Sequence, residues 1–338
     1  MRDSPMRLLR HYEDVPAEAR DSVAAIGNFD GLHLGHQAVI GEAQRLAVGA
    51  GAPSAVITFE PHPYAVFHRG AAPFRLTPFR IKTAMLSALG VDTTFALPFD
   101  AALHRKTAKE FVTEVLVDGL RLSHLIIGAD FVFGRNRGGD AALMAELARA
   151  QGFRLTCLEK VSDIDGHPYS STKVRQYLAA GQPRLAAAVL GRAWAVESRV
   201  ETGRRLGHTL GFPTANLSFG EYLVPASGVY AVRAGIVAES GIDWHDGVAN
   251  AGRRPTVDGE GIVLEVHLFD FDADLYGSYL RVAFIDHLRA EKKFDGIDQL
   301  RAQIARDAES ARAILGADDT PLEVGRRSPP SIAQKWTV

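Results

Sequence analysis

One run constrains this chain more than any other: Ala25-Ile26-Gly27-Asn28-Phe29-Asp30-Gly31-Leu32-His33-Leu34-Gly35-His36. Before it, Val23–Ile26 is a short apolar stretch that predicts a buried strand. After it, residues 37–49 have helical composition and stop at a glycine. A strand, a glycine-bearing loop and a helix start make an anion site, because backbone N–H groups point outward and the helix dipole favours negative charge. Gly35 lets a phosphate approach the backbone with no Cβ in the way. His33 and His36 can donate hydrogen bonds to phosphate oxygens and, if protonated, oppose their charge. The plainer reading is a polar loop with surface histidines and a turn at Asp30-Gly31. Two histidines flanking a glycine at a helix start favour the phosphate site.

The rest of the first half alternates strand-like and helix-like segments. Further strands are predicted at 54–59, 94–97, 125–128 and 153–158. Thr77 reads as an N-cap with Pro78 at the first helical position and Gly90 as the stop. Thr107-Ala108-Lys109-Glu110 reads as a capping box ahead of a helix at 111–117, and Asp140 caps a helix ending near Gly152. This alternation predicts a parallel sheet with helices on both faces and ligands beyond the carboxyl ends of its strands. His33 and His36 fall on that edge.

Three more loops carry chemistry. Glu60-Pro61-His62-Pro63 follows the second strand and is equally consistent with a stiff turn. The stretch from Gly128 to Asp140 carries four glycines, Arg135 and Arg137, and Phe131 and Phe133. Arginines among glycines suit a polyphosphate and aromatics suit a flat ring; a basic loop with its phenylalanines in the core is the alternative. Tyr169-Ser170-Ser171-Thr172-Lys173-Val174-Arg175 opens another helix. Its hydroxyls and Arg175 make a second anion site or an ordinary cap.

From Gly191 the pattern changes to strand-like runs at 193–200, 229–236, 247–251, 262–269 and 280–285, with a closing helix at 296–314. Short strands punctuated by turns predict a closed β-barrel. The stretch 316–338, with Asp318-Asp319 and Pro329-Pro330, predicts little order. The densest motif here runs from Gly203 to Asn216; it is glycine-rich and basic, and its N–H groups could wrap phosphates. Thr214 and Asn216 lie on one side of an extended chain and can ligate a hard cation such as Mg²⁺, or simply sit in a hairpin loop.

At 338 residues, one to three domains are expected. A net charge of -2 gives no global basic field, so nucleic acid is not an expected partner. One cysteine, Cys157, rules out an internal disulfide and any cysteine-rich metal site. No stretch could span a bilayer, so no membrane partner is expected and the cytoplasm is the default location. Whether the chain forms a homo-oligomer is left open.

His33-Leu34-Gly35-His36 resembles the H-x-G-H motif of the nucleotidyltransferase superfamily, and the run 27–36 resembles the adenylyltransferase half of prokaryotic bifunctional riboflavin kinase/FAD synthetase. The Glu60-Pro61-His62-Pro63, Gly128-Ala129-Asp130-Phe131-Val132-Phe133-Gly134 and Ser170-Ser171-Thr172-Lys173-Val174-Arg175 segments resemble the same half. Gly211-Phe212-Pro213-Thr214-Ala215-Asn216, Leu264-Glu265-Val266-His267-Leu268-Phe269 and Leu288-Arg289-Ala290-Glu291-Lys292-Lys293-Phe294 resemble the kinase half. The resemblance implies an α/β chain: a Rossmann-like nucleotidyltransferase domain at 1–184, a barrel kinase domain with a terminal helix at 185–315, and a tail at 316–338. It implies ATP sites at Gly27, Asn28, Phe29, Asp30, Gly35, Ser171 and Thr172, and at Gly203, Gly211 and Pro213. It implies flavin contacts at Pro61, His62, Asp130, Phe131, Arg289, Glu291 and Phe294. His33, His36 and Arg175 would serve adenylyl transfer, Glu265 would be the kinase base, and Thr214 and Asn216 would hold Mg²⁺. The substrates would be ATP, riboflavin and FMN. Arg253 and His208 depart from the usual pattern. An adenylyltransferase of another substrate class would share H-x-G-H without needing Pro213-Thr214-Ala215-Asn216, and a regulatory flavin-binding protein would consume no ATP.

Overall fold

The inner strands of the first half read as apolar runs because they are buried on both faces. The computed structural model describes residues 5–68, 70–201, 212–256, 259–325 and 332–338, with only the backbone at 253–256 and 259–261. Six strands run parallel in the order β1-β4-β3-β2-β5-β6: β1 (Arg7–Leu9), β2 (Val23–Ile26), β3 (Ser54–Glu60), β4 (Thr93–Pro98), β5 (His124–Gly128) and β6 (Arg154–Leu158). In β2, Ala24 and Ile26 join one core with Ile57, Leu97 and Ile127, while Val23 and Ala25 join the other with Val56 and Ile126. Fully burying each such Ile, Leu or Val contributes about 1.5–3 kcal/mol.

Helices cover both faces. On one side, α1 (Leu34–Ala50) supplies Ile40, Ala43 and Ala47. The short α2 (Pro63–Phe67) follows β3, and α3 (Phe79–Ala88) adds Leu86 to the same core. After α4 (Ala101–His104), α5 (Ala108–Glu110) starts on the expected capping box and runs directly into a π-helical stretch, Phe111–Gly119. That stretch and α6 (Ala141–Gln151) give Val112, Leu116, Met144 and Ala148 to the other core. Asp140 caps α6 as expected, its Oδ1 accepting the Leu143 N–H at 2.9 Å.

These elements form one compact unit of Met1–Ala71, Thr77–Ser170 and Val324–Val338; Ala72–Leu76 and Ser171–Glu323 form the other. In the second, α7 (Ser171–Ala179) and α8 (Pro183–Leu190) precede a curled antiparallel sheet. Its strands are β7 (Trp194–Arg199), β8 (Ala215–Ser218), β9 (Gly228–Ala238), β10 (Gly241–Thr256), β11 (Gly259–Leu268) and β12 (Tyr279–Arg289), ordered β7-β12-β9-β10-β11-β8. The expected closed barrel is not formed as a continuous ladder among the described residues. The edges β7 and β8 approach at one bridge beyond β7, where Glu201 N–H donates to Asn216 O at 2.9 Å. The expected terminal helix is α9 (Ile297–Gly316), whose Ala311 and Leu315 pack on Val229, Ala231 and Val248.

The tail differs from the expectation of little order. Its described end forms β13 (Gln334–Thr337), antiparallel to β6 in the seven-stranded sheet. Trp336 packs on the core, Val338 N–H donates to Leu155 O at 2.9 Å, and Gln334 Nε2 donates to Glu42 Oε1 at 2.7 Å. Trp336 is the one apolar residue of Gln334–Thr337, so no hydrophobic alternation marks this strand.

Candidate active sites

The loop between β2 and α1 is held in a strained shape from behind. Phe29 and Leu32 take φ angles of 49° and 45°, in the left-handed region that costs a non-glycine residue roughly 1–2 kcal/mol. Complete burial of both side chains offsets that cost. Asp30, also buried, accepts the Thr77 N–H at Oδ1 (3.0 Å), and Thr77 Oγ1 accepts the Gly31 N–H (3.1 Å). Thr77 therefore clamps this loop instead of capping α3, whose N-cap is Pro78. Lys82 on α3 donates from Nζ to Asn28 O at 2.8 Å.

His33 is the N-cap of α1. Its Nδ1 accepts the His36 N–H at 3.3 Å, so a neutral ring carries its proton on Nε2 and presents a donor there. His36 stacks on His33 with ring centres 3.5 Å apart, and Phe29 meets His36 edge-on at 5.2 Å. A Cβ on Gly35 would lie 3.1 Å from His33 Nδ1 and 3.4 Å from Tyr169 Cβ. Glycine is thus what lets the imidazole fold back over the first helical turn. Two imidazoles at the N-terminus of a 17-residue helix suit a phosphate.

Because β3, β2 and β5 are parallel neighbours, the loops that follow them share one edge. That edge gathers Gly27, Asn28, His33 and His36 with Pro61, His62, Asp130 and Phe131. His62 is buried as the N-cap of α2, its Nδ1 accepting the Tyr64 N–H at 3.1 Å. Asp130 is exposed and pairs with Lys160 Nζ at 3.1 Å, and Phe131 stacks on Phe133 at 5.5 Å. The sequence reading missed an aromatic group at the same edge. Phe67 meets Phe99 at 5.7 Å and His104 at 5.7 Å, and Phe99 meets Phe59 at 5.8 Å.

In the second unit, α7 starts at Ser171, with Thr172 exposed beside it. Arg175, one turn in, donates from Nε to Phe74 O at 3.0 Å and lies over the Phe74 ring at 5.7 Å. On the curled sheet, Glu265 of β11 stands opposite Asn216 of β8 and Asn250 of β10. Cross-strand partners share a face, so the three form one polar row. Val248, two residues from Asn250 on the same face, packs toward α9. His267, two residues from Glu265, donates from Nδ1 to Pro213 O at 2.8 Å, which brings Pro213 and Thr214 to this row. Thr214, Asn216 and Glu265 offer oxygen ligands of the hard kind that a divalent cation such as Mg²⁺ takes, so the residues fit one.

Glu291 reaches this row as well. A Cβ on Gly252 would collide with its carboxylate and lie 3.1 Å from Asn250 Nδ2. Arg289 is engaged by the buried Asp307 of α9, with bonds of 2.7 to 3.0 Å, and its guanidinium lies 5.8 Å from the Phe294 ring centre. Gly203, Gly211 and His208 lie outside the described residues, as does the Arg253 side chain.

Two family models match successive parts of the chain. One described as FAD synthetase matches residues 15–173, and one described as riboflavin kinase matches residues 190–315. A bifunctional riboflavin kinase/FMN adenylyltransferase from Pseudomonas fluorescens is 43% identical over 310 residues, covering 91% of this chain and 98% of the relative. The chain belongs to the bifunctional riboflavin kinase/FMN adenylyltransferase family. Relatives of the same description from Escherichia coli (strain K12) and Bacillus subtilis (strain 168) are 39% and 35% identical, covering 92% and 88% of this chain and 98% and 93% of their own. A crystal structure described as a macrolide-efflux protein from Streptococcus pneumoniae has the same fold, with a TM-score of 0.80, 29% identity, and coverage of 91% of this chain and 99% of that one. Among the described residues, no helix is long and apolar enough to cross a membrane.

Four contacts behind the β2–α1 loop also escaped the sequence reading. Thr58 and Lys82 bond to the carbonyl of Asn28, and Thr77 to Asp30 and Gly31. Lys82 shares a helix face with Leu86, so a lysine inside an apolar stripe was the available signal. That Asn250 faces Glu265 is decided by strand register.

Proposed function

We propose that the chain makes FAD from riboflavin in two consecutive steps at two sites, with residues 185–315 as the kinase and residues 1–184 as the adenylyltransferase. In the first step the terminal ribityl hydroxyl attacks the γ-phosphorus of ATP, Glu265 accepts its proton, and the bond to the ADP oxygen breaks. Thr214 and Asn216 hold Mg²⁺, which when bound neutralises charge on the ATP phosphates. Gly203, Gly211 and Pro213 are assigned to ATP, and Arg289, Glu291 and Phe294 to the flavin. The Glu201–Asn216 bridge supports reading the curled sheet as a closed barrel.

In the second step a phosphate oxygen of FMN attacks the α-phosphorus of another ATP, and pyrophosphate leaves. The FMN phosphate is already an anion and needs no base. The protein's task is to align it and to stabilise charge on the leaving group. His33, His36 and the N–H groups of the Gly27–Gly35 loop suit that task; Ser171, Thr172 and Arg175 are assigned to ATP binding. Pro61, His62, Asp130 and Phe131 are assigned to the flavin. The cytoplasm, which supplies ATP, is the proposed site of action.

The observation that carries this reading is the register pairing of Glu265 with Asn216 in one unit while His33, stacked on His36, caps a helix in the other. Incubation with riboflavin, ATP and Mg²⁺ followed by chromatography tests it. FMN should appear first and FAD after it; unchanged riboflavin refutes it.

A further inference from the structure

Reading the β2–α1 loop as the adenylyl-transfer site leaves the buried Lys82 behind it without a role, and the inference below rests on that reading. Lys82 is 1% exposed, in an environment where lysine is almost never found. Its Nζ donates to Asn28 O at 2.8 Å and to Thr58 Oγ1 at 3.4 Å, and Thr58 Oγ1 donates to the same carbonyl at 3.2 Å. The Asn28 carbonyl is thus gripped twice from the interior side, once by a charge-assisted bond of about twice the usual strength.

The consequence follows from peptide geometry. A trans peptide is planar, with C=O and N–H pointing in opposite directions. Turning the Asn28 carbonyl inward to Lys82 turns the Phe29 N–H outward, on the side where Asn28 is exposed. Phe29 holds a φ of 49°, a conformation that a free loop would leave. The Asp30–Thr77–Gly31 bonds fix the next corner of the loop, again from the α3 side.

We propose that Lys82 is a positioning residue for adenylyl transfer: through the Asn28 carbonyl it presets the Phe29 N–H as a donor to the phosphates of the bound nucleotide. Preorganised donors of this kind act on the transition state more than on ground-state binding. Lys82 touches no substrate itself.

The test uses the full chain carrying Lys82→Met, which keeps the volume and removes the donor. Three quantities are measured: kcat and KM for FAD formation from supplied FMN, FMN affinity by fluorescence quenching, and riboflavin phosphorylation by the same protein. Lys82→Met should lower kcat for FAD formation by about tenfold or more while FMN affinity and phosphorylation stay within about twofold. Thr58→Val, which removes one hydroxyl, should lower the same kcat by about two- to fivefold. An unchanged kcat in Lys82→Met overturns the inference, and so does a parallel loss of FMN affinity and kcat in both variants. If Lys82→Met fails to fold, Thr58→Val decides on the same two readouts. His33→Ala separates this inference from the reading beneath it. If His33→Ala retains FAD formation, the loop is not the site; if it abolishes FAD formation while Lys82→Met and Thr58→Val do not affect it, only the role of Lys82 falls.

Discussion

In the parallel-sheet unit the anion loop takes its shape from groups behind it, whereas in the curled-sheet unit the site is set by strand register. Asp30, Thr58, Thr77 and Lys82 hold the backbone of the first loop in a conformation that Phe29 and Leu32 would not choose. Glu265, Asn216 and Asn250 meet because three antiparallel strands place them in one row. The first site offers mainly backbone donors and two rings. The second offers side chains spaced two residues apart along each strand. Phosphate can be gripped either way, and the two designs should fail differently.

The largest expected effects come from removing the side chains proposed to act at each site. His33→Ala with His36→Ala should lower FAD formation by about 10³-fold and leave FMN formation intact. Glu265→Ala should lower FMN formation by roughly 10²–10⁴-fold and leave FAD formation from supplied FMN intact. Steady-state kinetics with riboflavin and FMN as separate substrates checks both. Loss of both activities in either variant, while still folded, would break the comparison.

A smaller pair of effects contrasts backbone crowding in the two sites. In Gly35→Ala the new methyl meets His33, which is fixed as a helix cap, so kcat for FAD formation should fall about tenfold. In Gly252→Ala the methyl meets the carboxylate of Glu291, an exposed side chain that can swing away, so kinase activity should fall only about two- to threefold. The reverse ranking would mean that the loop is more pliant than its bonds suggest.

The smallest effect concerns stability. His124 on β5 is held down to about 4, first by burial and then by the charge of Arg154. Its Nε2 bonds to Thr156 Oγ1 at 2.9 Å, and Thr156 Oγ1 to Thr337 Oγ1 at 3.0 Å, so the neutral ring ties β5, β6 and β13 together. Between pH 6.5 and about 4 the unfolded chain takes up this proton more readily than the folded one. The stability it supports is complete above pH 6.5 and falls by about 1–3 kcal/mol as pH descends to about 4. Thermal melts across that window should show the fall, and His124→Gln should flatten it.

Local chemistry made much of this legible in the sequence. The strand, glycine loop and helix around His33 are consecutive, and the capping box at Thr107 and the cap at Asp140 act within three residues. What escaped depends on distance along the chain. Thr77 reads locally as a helix cap, but Asp30, 47 residues away, claims it. Lys82 meets Asn28 across 54 residues. β8 is four residues long inside a glycine-rich motif, and β13 is four residues after a proline-rich stretch, so neither shows a period. Glu265 was found through resemblance, but that it stands opposite Asn250 comes only from the β10–β11 pairing.

Mixing the two crippled proteins tests most directly whether one chain holds two independent sites for consecutive steps. The His33→Ala/His36→Ala protein should make essentially only FMN from riboflavin, and the Glu265→Ala protein should make almost no FMN or FAD from riboflavin. Together, with ATP and Mg²⁺, they should form FAD, because FMN released by one is adenylylated by the other. No FAD from the mixture, while each protein retains its own remaining activity, would contradict the account.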